Sequence, residues 1–287
     1  MMGGFEVDTY RLNSDYEMPV IGIGTFMLTP DEAENSVANA LESGYRLIDT
    51  ANAYVNEKAV GRGMRKSGVA REKIFLETKL WPTLYQDETA VDKTLERLGT
   101  DYVDLMLLHQ PAGDFISGYR LLEKAVQEGK VRSIGLSNFS PAQIQKVMDE
   151  CELIPAVVQV ECHPYYPQDD LRNFLHQQGI ALQAWFPLGH GDKSLMQQPV
   201  FTGLSTKYGK SVAQVILRWH IQKGNIVIPG ARNKAHILDN IHIFDFALTD
   251  EEMDEISRLD RHIPFVTHNE DEMDRYLTWE LDIDGQK

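Results

Sequence analysis

The chain has 287 residues, 43% hydrophobic and 25% charged, with a formal net charge of −15. That composition can bury a sizeable core in one large domain or two small ones, and its acidity argues against nucleic acid or an anionic membrane surface as a partner. Two cysteines without a CxxC spacing, Cys151 and Cys162, a start lacking a signal-peptide pattern, and no apolar run of bilayer length point to a cytoplasmic protein with free thiols.

Residues 5–18 read as a short polar hairpin that caps one end of the domain, turning at Asn13-Ser14-Asp15. Val20–Phe26 is a strand. Thr29 and Glu32 form a capping box around Pro30, and Ala33, Val37, Ala40 and Leu41 recur at helical spacing up to Gly44. Strand two is Arg46–Asp49, with a helix from about Asn56. Strand three is Ile74–Lys79, with a helix starting at Asp87 and stopping at Gly99. Strand four, Val103–Leu108, runs into His109 and is followed by a helix ending at Gly129. Strand five, Val131–Leu136, leads to Ser137-Asn138 and a second capping box at Ser140. Strand six is Ala156–Val160 and its helix closes at Gly179. Strand seven, Ile180–Trp185, precedes a longer helix over about Val212–Lys223. Strand eight is Ile226–Ile228, and Thr249–Glu252 opens the last clear helix.

These strands are near-continuous apolar runs, as expected for strands buried on both faces of a parallel sheet. Eight βα units in roughly 260 residues match a (β/α)8 TIM barrel spanning the chain as a single domain. An open doubly wound sheet would carry GxGxxG after the first strand, and Gly22-Ile23-Gly24-Thr25-Phe26-Met27 lacks the third glycine.

In a barrel the C-terminal strand ends share one mouth. Those ends carry Asp49, Lys79, His109, Ser137-Asn138, Gln159 and Trp185, where a packed barrel would otherwise place Val or Ile. Tyr54, five residues past Asp49, is placed at the start of the next helix and is a candidate proton donor. An ammonium about 4 Å from it contributes about 4 kcal/mol at an effective dielectric of about 20, so Lys79 is expected to lower the phenol pKa by roughly three units. Asp49 would keep Lys79 charged, and His109 would orient a carbonyl oxygen or share the proton. A lone Lys79 would suit a Schiff-base nucleophile, but a paired carboxylate disfavours that. Glu161-Cys162-His163 invites a metal reading, but no second cluster supports it, so no metal is expected. His190, His220, His242, His262 and His268 read as surface or packing residues.

The runs DTANAYVNE, ETKLW, LMLLHQP, GLSNF and QVECHPYYP, in this order along nearly the whole chain, resemble the aldo-keto reductase family. The resemblance implies a (β/α)8 barrel, a nicotinamide cofactor and a catalytic tetrad of Asp49, Tyr54, Lys79 and His109. It places Ser137, Asn138 and Gln159 on the carboxamide, Trp185 on the nicotinamide ring, and Thr25 and Leu188 also against the cofactor. A Lys-Ser pair that holds the 2′-phosphate of NADP in such proteins is here Gly230-Ala231. Arg232, Asn233 and His236 are the remaining candidates there, with Asp239 and Asn240 near the adenine. NADPH is the implied cofactor, with NADH possible.

Short segments after His109 and Trp185 suggest an open pocket walled by Phe26, Trp81, His109 and Gln110, and the acidic tail from Phe265 to Lys287 is expected to fold over the mouth. The implied activity is NAD(P)H-dependent reduction of a small carbonyl substrate by a monomer. The alternative is a nicotinamide-binding redox sensor with little turnover.

Overall fold

The computed structural model describes residues 7–287, so Phe5 and Glu6 at the start of the expected cap lie outside it. The cap itself is a hairpin of β1 (Thr9–Arg11) and β2 (Glu17–Pro19), antiparallel with Tyr10 opposite Met18. It lies across the N-terminal ends of the barrel strands. Asn13 donates to the Pro155 carbonyl at 2.9 Å, and the Ser14 and Ser133 hydroxyls meet at 2.7 Å.

The repeating units follow in order: β3 (Gly22–Gly24), α1 (Pro30–Glu42), β4 (Leu47–Asp49), α2 (Glu57–Ser67), β5 (Phe75–Leu80), α3 (Ala90–Leu98), β6 (Val103–Leu108), α4 (Phe115–Gln127), β7 (Val131–Ser137), α5 (Pro141–Glu150), β8 (Val157–Glu161), α6 (Asp169–Gln177) and β9 (Ala181–Trp185). Then come α7 (Lys193–Met196), α8 (Pro199–Tyr208), α9 (Val212–Gln222), β10 (Ile226–Val227), α10 (Lys234–Ile241), α11 (Asp250–Ser257) and α12 (Glu270–Thr278). Strands β3 to β10 are eight neighbours in sequence order, all parallel. Parallel bridges Ile21–Val227 and Gly24–Gly230 join the two ends and close the barrel. Closure explains Gly24, since a Cβ there would stand 2.9 Å from the Ile228 carbonyl oxygen. Among the described residues no helix is long and apolar enough to cross a membrane.

The sequence signals that start helices work locally. Thr29, Ser140 and Thr249 each close the expected capping box with Glu32, Gln143 and Glu252, and Ser211 with Gln214 forms a further one. Two boundaries differ from expectation. Asp87 does not open α3; its carboxylate accepts from the Thr89 amide and hydroxyl, and that turn delays the helix to Ala90. Tyr54 is not at the start of α2 but in a single 3-10 turn over Asn52–Tyr54, followed by Val55 in the left-handed region. The segment after Trp185 is also not a short loop, because α7 and α8 intervene before α9.

Inside the barrel, residues two apart point the same way, which sorts the interior into levels. The lower level is apolar: Leu12 and Met18 of the cap pack with Leu47, Phe75, Leu105, Ala181 and Ile226. Higher on the same strands the inward positions turn polar, with Glu77, Gln159, Gln183, Asp49 and Lys79 all buried.

A second buried polar knot lies outside the barrel wall. Glu57 of α2 accepts from Asn52 at 3.1 Å, Thr78 at 2.7 Å and Arg97 of α3 at 2.8 Å. It therefore ties the Tyr54 turn to β5 and α3. Removing one partner of a buried pair strands the other charge at a cost of about 3–5 kcal/mol. Arg97→Met should lower unfolding free energy by that amount in urea titrations, whereas breaking the exposed Arg11–Asp15 pair should change it by under about 1 kcal/mol.

Candidate active site

The strand-end residues converge as the barrel requires. Lys79 is fully buried, and its Nζ donates to Asp49 Oδ1 at 2.5 Å, to the Thr50 carbonyl at 3.0 Å and to the Tyr54 hydroxyl at 3.0 Å. All three ammonium protons thus have acceptors. The 3-10 turn that carries Tyr54 is held on both sides. Asn52 donates to Glu57 and accepts from the Trp81 amide, while Asn56 donates to the Thr25 and Leu28 carbonyls and accepts from the Thr50 hydroxyl. The His109 ring lies edge-on to Tyr54 at 5.7 Å and to Trp81 at 5.3 Å, and its Nδ1 is buried without a partner.

The electrostatics reverse one expectation. The Tyr54 phenol is pushed up to about 12, not down. Burial of the hydroxyl is the largest cause; Lys79 opposes it, but Asp49 and Glu77 add negative charge in the same direction. Lys79 lowers the phenol pKa as an ammonium at that distance should, but Asp49 offsets part of its field and burial exceeds it. Burial pulls Lys79 down, but Asp49, Tyr54 and Glu77 together outweigh it and raise its pKa. Burial, with Lys79 and His268, holds His109 well below its usual range, so its imidazole is neutral.

Beneath this cluster runs a polar chain whose lower members, Gln183 and Glu77, were not among the sequence candidates. Gln159 donates to Asp49 at 3.1 Å and to Gln183 at 2.8 Å, and Gln183 donates to Glu77 at 2.6 Å. Burial, then the Asp49 carboxylate, holds Glu77 far above the carboxylate range. Two polar residues at inward positions, each two before a strand-end residue, were the available signal.

The remaining candidates fall into three groups. On the far side of the mouth, Asn138 has φ of +67° and accepts from Trp185 Nε1 at 2.8 Å while donating to the His109 carbonyl and Gln110 Oε1. Gln110 is buried in that contact rather than lining open space. Ser137 is buried beside Gln159 in register. Thr25 is buried, and its amide and hydroxyl both donate to the Asp49 carbonyl, at 3.1 and 2.9 Å. Leu188 enters the turn Gly189–Gly191, and Phe26, 50% exposed, stands 5.2 Å from the Tyr54 ring.

Past β10, Arg232 is exposed, donating to the Met27 carbonyl and facing Glu32. Asn233 caps α10 by accepting from the Ala235 amide, and His236 lies exposed on its first turn. Asp239 accepts from Ser211, and Asn240 is buried.

The third group is the tail. Trp81 is only 2% exposed because Tyr276 and Trp279 pack against it at 5.2 and 5.6 Å. His268 comes within 6.5 Å of the Trp185 ring. The mouth is therefore roofed by the tail, and the open pocket expected from short loops is partly filled by α12. Of the histidines read as surface or packing, His268 belongs at the mouth; nothing in its local sequence marks it. Cys162 donates to the Pro167 carbonyl, and among the described residues no group of three or more His, Cys, Asp or Glu is placed to hold a metal.

The barrel mouth thus gathers a Lys–Asp pair, a phenol and a neutral imidazole. The model of the aldo/keto reductase family matches residues 20–261. The glyoxal reductase of Bacillus subtilis is 44% identical over 259 residues, 88% of this chain and 93% of that protein. The crystal structure of an aldo/keto reductase from Brucella melitensis superposes with a TM-score of 0.85 at 44% identity, covering 89% of this chain and 100% of the other. That of a Bombyx mori aldo-keto reductase in complex with NADP gives 0.87 at 33% identity, covering 91% and 95%. The chain belongs to the aldo/keto reductase family.

Neutral buried histidines make stability depend on acid. His220 donates from Nε2 to the Pro187 carbonyl, 2.9 Å away, and burial lowers its pKa to about 3. Its folded pKa is depressed below the unfolded value of about 6.5, so this stability is present above pH 6.5 and is lost as pH falls through the range down to about 3. The slope approaches about 1.4 kcal/mol per pH unit per group. Urea midpoints between pH 6.5 and 5 should fall with pH, and His220→Gln should reduce that slope by about one group's share.

Proposed function

We propose that the protein reduces the carbonyl group of a small aldehyde or ketone to an alcohol, with NADPH as hydride donor and Tyr54 as the proton donor. The observation that carries this is the Tyr54 hydroxyl 3.0 Å from an ammonium that Asp49 keeps charged, beside a neutral His109, at the barrel mouth. The B. subtilis relative's name, glyoxal reductase, supports a carbonyl substrate, and the NADP bound to the Bombyx mori neighbour supports the cofactor.

The phenol's high pKa suits the role. It stays protonated at neutral pH, and an alkoxide is a stronger base than a phenolate, so transfer from Tyr54 to a developing alkoxide is downhill. The phenolate left behind is stabilised by Lys79 at hydrogen-bond distance. His109, being neutral, can donate to the carbonyl oxygen without adding charge. Lys79 is too firmly held by Asp49, Thr50 and Tyr54 to serve as a free amine nucleophile.

The residues present fit a nicotinamide dinucleotide, which when bound would supply the hydride. Both N–H groups of Gln159 are engaged below, so its carbonyl oxygen is what it offers a carboxamide. Trp185 is fixed at the mouth by Asn138. Arg232 and the N-terminal turn of α10, capped by Asn233, give a phosphate the positive site that an acidic protein must supply locally.

Tyr54→Phe should lower kcat by about 10²–10⁴-fold, the usual size of a general-acid contribution. NADPH affinity by fluorescence titration should be unchanged. Near-wild-type turnover would remove Tyr54 from the role, and no multiple turnover by the wild type across an aldehyde panel would favour a redox-sensing module. Arg232→Ala should weaken NADPH by about tenfold and leave NADH unaffected, since only the former carries the 2′-phosphate.

A further inference from the structure

We infer that Glu161 is a positioning residue that fixes the C-terminal segment over the mouth and thereby sets how the site holds its substrate; this rests on the carbonyl-reductase reading. Glu161 ends β8 and is 3% exposed. Oε1 accepts from the Phe265 amide at 2.5 Å and faces His163 Nε2 at 2.9 Å, and Oε2 accepts from the Val266 amide at 3.0 Å. His163 is fully buried, and its ring packs 4.8 Å from Phe265. The Glu-Cys-His run at this strand end thus grips the tail.

The grip matters because of where the tail goes next. Two residues after Val266, His268 comes within 6.5 Å of the Trp185 ring, and Tyr276 of α12 and Trp279 just after it then lie on Trp81. No residue of α12 is fully buried, so the helix makes no core of its own and its place depends on its anchors. Beyond it the chain is pinned again. Ile283 is buried, Asp284 pairs with Arg97 at 2.8 Å, and the Gln286 carbonyl accepts from Lys58 at 3.0 Å. Between these two anchors the segment is a strap over the substrate's entry. Hydrogen bonds from backbone N–H groups to a buried carboxylate are among the stronger ones, so the first anchor holds its end firmly.

The test uses full-length chain with Glu161→Gln, read by hydrogen–deuterium exchange and by kinetics with NADPH on benzaldehyde and glyoxal. Amides in residues 263–280 should exchange about tenfold faster, while those of β5 to β7 stay unchanged. The KM for benzaldehyde should rise about tenfold with kcat on glyoxal changed less than about twofold. Glu161→Asp, which keeps the charge, should recover part of the loss. Trp279→Ala should raise the same KM, and adding Glu161→Gln to it should bring little more, because both act through one strap. If Glu161→Gln fails to fold, Val266→Pro removes one of the same hydrogen bonds from the tail's side. Unchanged exchange over 263–280, exchange raised equally across the barrel, or multiplying KM effects would overturn the inference. Exchange is independent of chemistry, so a wild type that reduces no aldehyde would defeat the reductase reading while the exchange result still decides the role of Glu161.

Discussion

The ion pair of Lys79 and Asp49 is the constraint on which the mouth of this barrel depends. Bringing an ammonium inside a barrel costs several kcal/mol unless its protons are matched, and here each has an acceptor. The acceptors then need their own positions. Asp49 is steadied by Gln159, and the Thr50 and Tyr54 acceptors by a turn that Asn52 and Asn56 hold. One buried charge thus propagates order into β4, β5, β8 and the Tyr54 turn.

That constraint divides the barrel interior. The lower levels, plugged by the hairpin, are apolar and carry the packing. The upper levels are polar and hydrogen-bonded from strand to strand, ending below in Glu77, whose carboxyl is pushed well above its ordinary value by burial and by the Asp49 charge. Tyr54 feels burial more than it feels the lysine because its hydroxyl is desolvated, and Asp49 and Glu77 offset part of what the lysine does.

The rest of the site is assembled from outside the barrel. The cofactor candidates lie on strand ends, on the turn before α10 and in α10 itself, while the tail covers Trp81 among the substrate candidates. Trp81, buried by Tyr276 and Trp279, joins the two. A rigid scaffold thus holds the buried charges, and a separately anchored segment covers the mouth above it.

The eight apolar runs, the caps at Thr29, Ser140 and Thr249, and the polar or aromatic residues at six of the strand ends were legible in the sequence because they depend on local periodicity and local hydrogen bonding. So was the convergence of Asp49, Lys79 and His109, since a closed parallel barrel leaves strand ends nowhere else to go. The tertiary structure alone decided the sign of the Tyr54 shift, because that is a sum over burial and several charges rather than a property of one pair. It alone decided that Asp87 serves a turn and that Tyr54 precedes its helix, where side chains compete for backbone amides. The sequence led us to expect the tail over the mouth, but the structure alone decided that His268, Tyr276 and Trp279 are what it brings there, because those contacts are set by distant anchors such as Glu161 and Arg97, which leave no period in the sequence.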